Sequence, residues 1–373
     1  MRLCNKRHTF FLLFLVASSF AVWAQAPAPS QSSAQQPSLT VDRDPIVSPD
    51  AADNQPVSPS NPNAVKPGTN LDREKGGFTF RRDVDEVVLN ASVLDDSGRI
   101  VNDLKQADFH VFEDGVEQTI AAFQHQDIPV SMGMLIDNSG SMRDKPAAVN
   151  TAALDLVKAS NPQDEAFIVN FSDEAFIDQD FTSDVGKLRD GLAHIDSKGG
   201  TALYDAVVAS ADQLAKGAKR PKQVLLIVTD GEDNASSLNL EQTIRRIQDL
   251  QGPVVYSIGL LFGDSGGGRE AHRAKRALQL LSSETGGIAY FPKSLDYVDQ
   301  ICAEVAHDIR NQYTIGYHST KPASQGGYRI VKVQAAAPGH GRLTVRTRSG
   351  YYPKIDSKNR TADSATQTKA PAK

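Results

Sequence analysis

Two cysteines, Cys4 and Cys302, are all that the 373 residues contain. Cys4 precedes the apolar run Phe10 to Ala24 instead of standing at a cleavage site, so it is no lipid-attachment cysteine. Loss of a leader leaves Cys302 alone, and a single thiol forms no internal disulfide. That excludes a small disulfide-stapled secreted domain and suits a periplasm or a bacterial surface. Basic clusters are missing too. Lys and Arg number 40 against 45 Asp and Glu, for a net charge of -5, which argues against nucleic acid as a partner. HExxH and paired-cysteine motifs are absent, which removes the common zinc signatures. Cys302, with Glu304 and His307 close by in sequence, falls on an apolar helical face and reads as a buried thiol. The apolar run at the N terminus is itself short of the roughly 20 residues that span a bilayer.

What that N terminus does have is the layout of a secretory signal. Arg2, Lys6 and Arg7 form a basic segment, Phe10 to Ala24 an apolar one, and Val22-Trp23-Ala24 a small-residue cleavage site. The expected cut follows Ala24; the competing reading is an uncleaved anchor, so membrane contact is either transient, through the signal, or retained through it. Removal of residues 1–24 takes three positive charges and no negative one, lowering the net charge from -5 to -8. The protein is expected to be exported, whether periplasmic, cell-surface or extracellular. Residues 25–76 are rich in Pro, Ser, Ala, Gln and Asn and carry almost no apolar periodicity, as do residues 354–373. Both read as disordered, a linker and a tail.

Residues 77–128 alternate with period two. Strands are predicted at Glu86 to Leu94, Phe109 to Phe112 and Gln118 to Phe123, with Glu113-Asp114-Gly115 as a hairpin turn. Over 129–311 the pattern changes. Apolar strand cores at Met132–Ile136, Ala166–Phe171, Val224–Val228, Val254–Leu261 and Ile288–Phe291 alternate with helical patterns. The helices are predicted at Pro146 to Ser160, along Val185, Leu188, Leu192 and Ile195, after Gly199-Gly200-Thr201, along Ala271 to Leu281, and along Leu295 to Ile309. Glu174 to Phe181 reads as an antiparallel edge strand. Such alternation defines an α/β fold, a doubly wound and mostly parallel sheet. Period two returns over 312–353, at Tyr313–Tyr317, Tyr328–Val333 and Leu343–Arg348. About 50 residues are few for a free-standing sandwich. The expected architecture is therefore an α/β domain inserted into a small β-sandwich whose halves flank it; the alternative is two unrelated β extensions.

The chemistry gathers where strands end. Met132 to Ile136 stops at Asp137, and Ser139 and Ser141 follow, giving three hard oxygens of the type Mg2+ takes. Thr201 presents a hydroxyl after two glycines, and Val224 to Val228 runs into Thr229-Asp230-Gly231. Ligands of open α/β sheets bind at such carboxyl ends. DNSGS, GGT and TDG in this order resemble the metal-ion-dependent adhesion site of von Willebrand factor A domains. The flanking stretches LDDSGRIVNDLKQADFHVFEDGVEQTIAAF, YTIGYHS and VRTRSGYYP look like a von Willebrand A-related family abundant in Acidobacteria. The resemblance implies that Asp137, Ser139, Ser141, Thr201 and Asp230 hold Mg2+, or Mn2+ or Ca2+ in its place, with one or both aspartates acting through water. It implies a non-enzymatic module that binds a protein presenting an Asp or Glu to the ion. Two alternatives stand beside it, a metal-dependent hydrolase using the same ion and a scaffold whose metal site is vestigial. Gly263-Asp264-Ser265-Gly266-Gly267 matches the serine-protease nucleophile motif, but the companion motifs and cysteine pairs of that fold are missing, so it reads as a Gly-rich loop.

Overall fold

The structure, a computed structural model, describes residues 40–41, 86–158, 161–193, 197–262 and 268–354. The stretches read as a signal and a tail, most of the predicted linker, Ile195 and residues 263–267 lie outside the described residues.

The central layer is a seven-stranded sheet. Its strands are β1 (Thr40–Val41), β6 (Val130–Asp137), β7 (Glu165–Phe171), β8 (Ala175–Thr182), β9 (Lys222–Thr229), β10 (Val254–Gly259) and β11 (Ala289–Tyr290). Their order is β1-β8-β7-β6-β9-β10-β11. Only the β7–β8 pairing is antiparallel, as the short link between those two strands allows. Every residue of β6, β7 and β10 is buried, which explains why they read as continuous apolar runs with no polar face.

Along β6 the side chains still alternate between two cores. Met132, Met134 and Ile136 pack with α1 (Pro146–Lys158), α2 (Val185–Leu192) and α6 (Val298–Arg310), where Cys302 is buried in the same cluster. Leu135 faces α3 (Leu203–Gly217), α4 (Leu240–Asp249) and α5 (Arg269–Thr285). Gly133 leaves room for this second layer: a Cβ there would lie 2.6 Å from both Leu225 Cδ2 and Phe167 Cζ. Gly133→Ala is expected to destabilise the domain by about 1–3 kcal/mol, because the neighbours must leave their packed rotamers. Urea denaturation followed by circular dichroism checks it.

Eight further strands form two four-stranded sheets, in the orders β14-β2-β12-β5 and β15-β13-β3-β4. Before the α/β segment lie β2 (Glu86–Leu94), β3 (Phe109–Glu113), β4 (Val116–Gln118) and β5 (Ile120–Gln124). After it lie β12 (Tyr313–His318), β13 (Arg329–Ala335), β14 (Thr344–Arg346) and β15 (Gly350–Tyr351). Each sheet draws on both flanks: β12 pairs antiparallel with β2 and β5, and β13 with β3. One apolar cluster joins the two sheets, with Leu89 and Val93 from β2, Val111 from β3, Ile315 and Tyr317 from β12, and Val331 from β13. The β3–β4 hairpin turns at Asp114 and Gly115, both at positive φ, as a two-residue hairpin turn matched to strand twist requires.

Four elements differ from the sequence expectation, the first being β15, which follows the last predicted strand. The strand predicted at Gln118 to Phe123 is two strands that part at Thr119 and enter different sheets. Thr40 and Val41, inside the stretch read as a disordered linker, pair in parallel with Phe176 and Ile177 of β8. Edge pairing needs only backbone N–H and C=O groups, so a polar, Pro-rich composition does not reveal it. Helix α4 was not anticipated, although Asn239 and Gln242 form a reciprocal capping box at its start.

The two regions share a polar seam. Arg346 donates to Asp308 Oδ2 at 2.6 Å and to the Gly286 carbonyl at 3.2 Å. The Tyr256 hydroxyl donates to the same Asp308 oxygen and accepts from Gln312.

Candidate metal centre

In the order β8-β7-β6-β9-β10-β11, chain progress reverses between β6 and β9. A crevice opens at the carboxyl ends of the strands at such a reversal. Ile136 pairs with Val228, so Asp137, which ends β6, and Asp230, which follows β9, emerge side by side there. Asp137, Ser139, Thr201 and Asp230 are buried and Ser141 is exposed, so the group opens to solvent on one side.

Backbone contacts lock the three loops. Asn138 N–H donates to the Phe171 carbonyl at 2.7 Å, and Gly140 N–H to the Gly199 carbonyl at 3.3 Å. Asp173 Oδ1 accepts from Gly200 N–H at 2.7 Å, and a Cβ on Gly199 would stand 2.3 Å from Asp173 Oδ2. Gly199 also has a φ of +81°, so this position requires glycine on two grounds. Thr201 N–H donates to Asn234 Oδ1 at 2.8 Å, while the Thr201 carbonyl accepts from Asn234 N–H at 3.0 Å. Asp233 accepts from Tyr204 N–H, and Asp205 from Ser237 and Leu238 N–H. Both of these carboxylates therefore pin the loop after β9 to the start of α3.

Within this frame the hydroxyls are directed. Ser141 Oγ donates to Asp230 Oδ1 at 2.7 Å. Ser139 Oγ lies 3.1 Å from Ser141 Oγ, and because the Ser141 proton is already committed, Ser139 is the donor in that pair. Asp137 Oδ1 accepts from Ser139 N–H at 2.8 Å, and its Oδ2 accepts from the Thr229 hydroxyl. Thr201 Oγ1 comes within 3.3 Å of where a Cβ on Gly231 would stand, which places it next to Asp230. All five residues singled out in the sequence therefore converge. Sequence reasoning missed Lys145, whose ammonium bonds Asp230 Oδ2, and Thr229, Asn138 and Asn234. Thr229 and Asn234 at least lie in the TDGEDN stretch that drew attention to Asp230.

Burial pushes the Asp137 carboxyl up to about 6; hydrogen bonds from Thr229 and Ser139 oppose the shift, and the neighbouring Asp230 adds to it. Two carboxylates in one buried pocket call for positive charge. Among the described residues no group of three or more His, Cys, Asp or Glu could hold a metal, so an ion here must draw on the hydroxyls. The donor set does fit a hard divalent cation: oxygens only, with Ser141 sending its proton to Asp230 and keeping one lone pair beyond the one that Ser139 meets.

Fold and site together define a doubly wound α/β domain with a carboxylate–hydroxyl cluster at its switch point. Residues 132–232 match the model of the von Willebrand factor type A domain, so the chain carries a domain of that type. An uncharacterized protein of Synechocystis sp. is 24% identical over 193 residues, covering 50% of this chain and 41% of that protein. The chain thus spans under half the length of that curated relative. Among solved structures, a von Willebrand factor type A protein from Catenulispora acidiphila is 12% identical with a TM-score of 0.43, covering 75% of this chain and 76% of that one. The vWF domain of the type V pili tip protein Mfa5 from Porphyromonas gingivalis is 12% identical with a TM-score of 0.41, covering 49% and 95%.

Proposed function

We propose that the chain is an exported protein-binding module that grips an acidic side chain of its partner through a divalent cation. Mg2+, or Mn2+ or Ca2+ in its place, is held by Asp137, Ser139, Ser141, Thr201 and Asp230. The observation that carries this reading is the directed series Ser139–Ser141–Asp230 at the switch point, beside the buried Asp137. A bound ion supplies an electrophilic centre for one more oxygen ligand. The residues do the rest. Three neutral hydroxyls and two carboxylates leave the ion's charge at most balanced, and the exposed Ser141 marks the side from which a partner's Asp or Glu reaches it. Thr229 and Ser139 N–H fix the orientation of Asp137, and the Asn234–Thr201 pair fixes the GGT loop.

Capture of exported-fraction proteins by the purified chain tests the reading. Partners are expected to bind wild type in Mg2+ and to be lost in EDTA, and Asp137→Ala/Ser139→Ala is expected to lose them even with Mg2+ present. If the same partners survive both chelation and substitution, ion-dependent recognition is wrong. Turnover of ester, phosphate or peptide substrates that disappears in Asp137→Ala would favour the hydrolase instead.

A further inference from the structure

One positive charge already stands inside the proposed ligand set. Lys145 follows Ser141 by four residues, in the turn leading into α1, and its ammonium donates to Asp230 Oδ2. The Asp230 side chain has 0% exposure and that of Lys145 only 14%, so this is no solvated surface pair. Asp230 is thereby engaged at both oxygens, Ser141 on one and Lys145 on the other. The backbone of Lys145 is held by its N–H to the Met142 carbonyl at 2.8 Å, and the ammonium lies 5.7 Å from the centre of the Phe262 ring. The ammonium is thus seated against a carboxylate and an aromatic face, on a stem of four flexible carbons.

We infer that Lys145 is the resident cation of the metal-free site and competes with the divalent ion for Asp230. The inference rests on the ion-site reading and adds its regulation. An ammonium and a divalent ion cannot share one carboxylate in a buried pocket without strong repulsion. Seating of the ion therefore requires Lys145 to swing away, and only the swung-out fraction of the protein is competent to bind. Lys145 neutralises a buried carboxylate that would otherwise stand bare, and it raises the ion concentration at which the site fills.

Calorimetric titration of the full chain with MnCl2 and MgCl2, after removal of EDTA, tests this against Lys145→Met and Lys145→Arg. Lys145→Met is expected to bind Mn2+ at least about tenfold more tightly than wild type. Its Tm in EDTA is expected to fall, and Lys145→Arg is expected to keep wild-type affinity. Lys145→Gln, which retains length and a donor without charge, replaces the Met variant if that one does not fold. Wild type and Lys145→Met binding Mn2+ with equal affinity, or the variant binding more weakly, overturns the competition and leaves the ion site standing. Absence of Mn2+ binding in every variant overturns the ion-site reading and this inference with it.

Discussion

Asp137→Asn is expected to abolish divalent-ion binding and at the same time to make the metal-free protein more stable at neutral pH. Both effects come from the burial of one carboxyl. In the metal-free state its pKa rises from an ordinary 3.8 to about 6. Between those values the native protein keeps a proton that the unfolded chain has released. The associated stability is complete below pH 3.8 and is lost as pH rises through about 6. The loss is on the order of 3 kcal/mol. Asparagine never ionises, so in EDTA the variant escapes this loss, less what it gives up by meeting the Thr229 hydroxyl with an amide. Saturating Mg2+ should reverse the sign for wild type, because the ion binds the ionised form and stability then falls on acidification below about pH 6. Thermal melts from pH 4 to pH 8, with EDTA and with Mg2+, read both curves. A variant that still gains Tm from Mg2+ as wild type does would remove Asp137 from the site.

Glu113→Ala carries the largest expected cost in the β region. Glu113 and Arg329 are 2% and 1% exposed and pair across the two flanks of the chain. Arg329 also donates to Ser319 Oγ and to the carbonyls of Lys321 and Pro322, while the hydroxyls of Tyr317 and Tyr351 both donate to Glu113 Oε2. Removing the carboxylate leaves a dry guanidinium without its counter-charge and the hydroxyls of Tyr317, Tyr351 and Ser319 without that acceptor, a loss of roughly 3–5 kcal/mol. Glu113→Leu/Arg329→Met, which removes both charges, is expected to cost less than Glu113→Ala alone. Chemical denaturation of the three proteins decides it. Equal stability of wild type and Glu113→Ala would mean that water reaches the pair.

Much of the candidate metal centre was legible because its residues stand where a periodicity breaks. Asp137 ends an apolar run, Thr201 follows two glycines, and Asp230 closes the next buried strand, so position along the chain stood in for position in space. Lys145 gave no such sign. It is one of 40 Lys and Arg, and its contact joins residues 85 apart. Helix α4 does carry a stripe at helical spacing, Leu240, Ile244, Ile247 and Leu250, all packed on the second core, so its amphipathic pattern was legible together with its capping box and was overlooked. The break at Thr119 escaped because β4 and β5 share one alternation, and only sheet pairing tells them apart. The Asp114-Gly115 turn was readable because its backbone angles demand those residue types.

The interleaving of the two flanks also sets an order of events during synthesis. Strands β2 to β5 are complete at Gln124, but β12, which pairs with both β2 and β5, does not begin until Tyr313. At the usual 5–20 residues per second, about 10–40 s pass between the two. For that interval β2 and β5 have no partner and the β3–β4 hairpin has an open edge, and closing so long a loop in an unfolded chain is entropically slow. The α/β domain is complete at Arg310, just before β12 begins, and its folding brings its own ends together, as the ion pair of Asp127 with Arg310 at 2.5 Å records. The intervening domain thus acts as the clasp that makes the late pairing local. Variants that destabilise it, Gly133→Ala among them, should aggregate through the waiting strands before they lose the site.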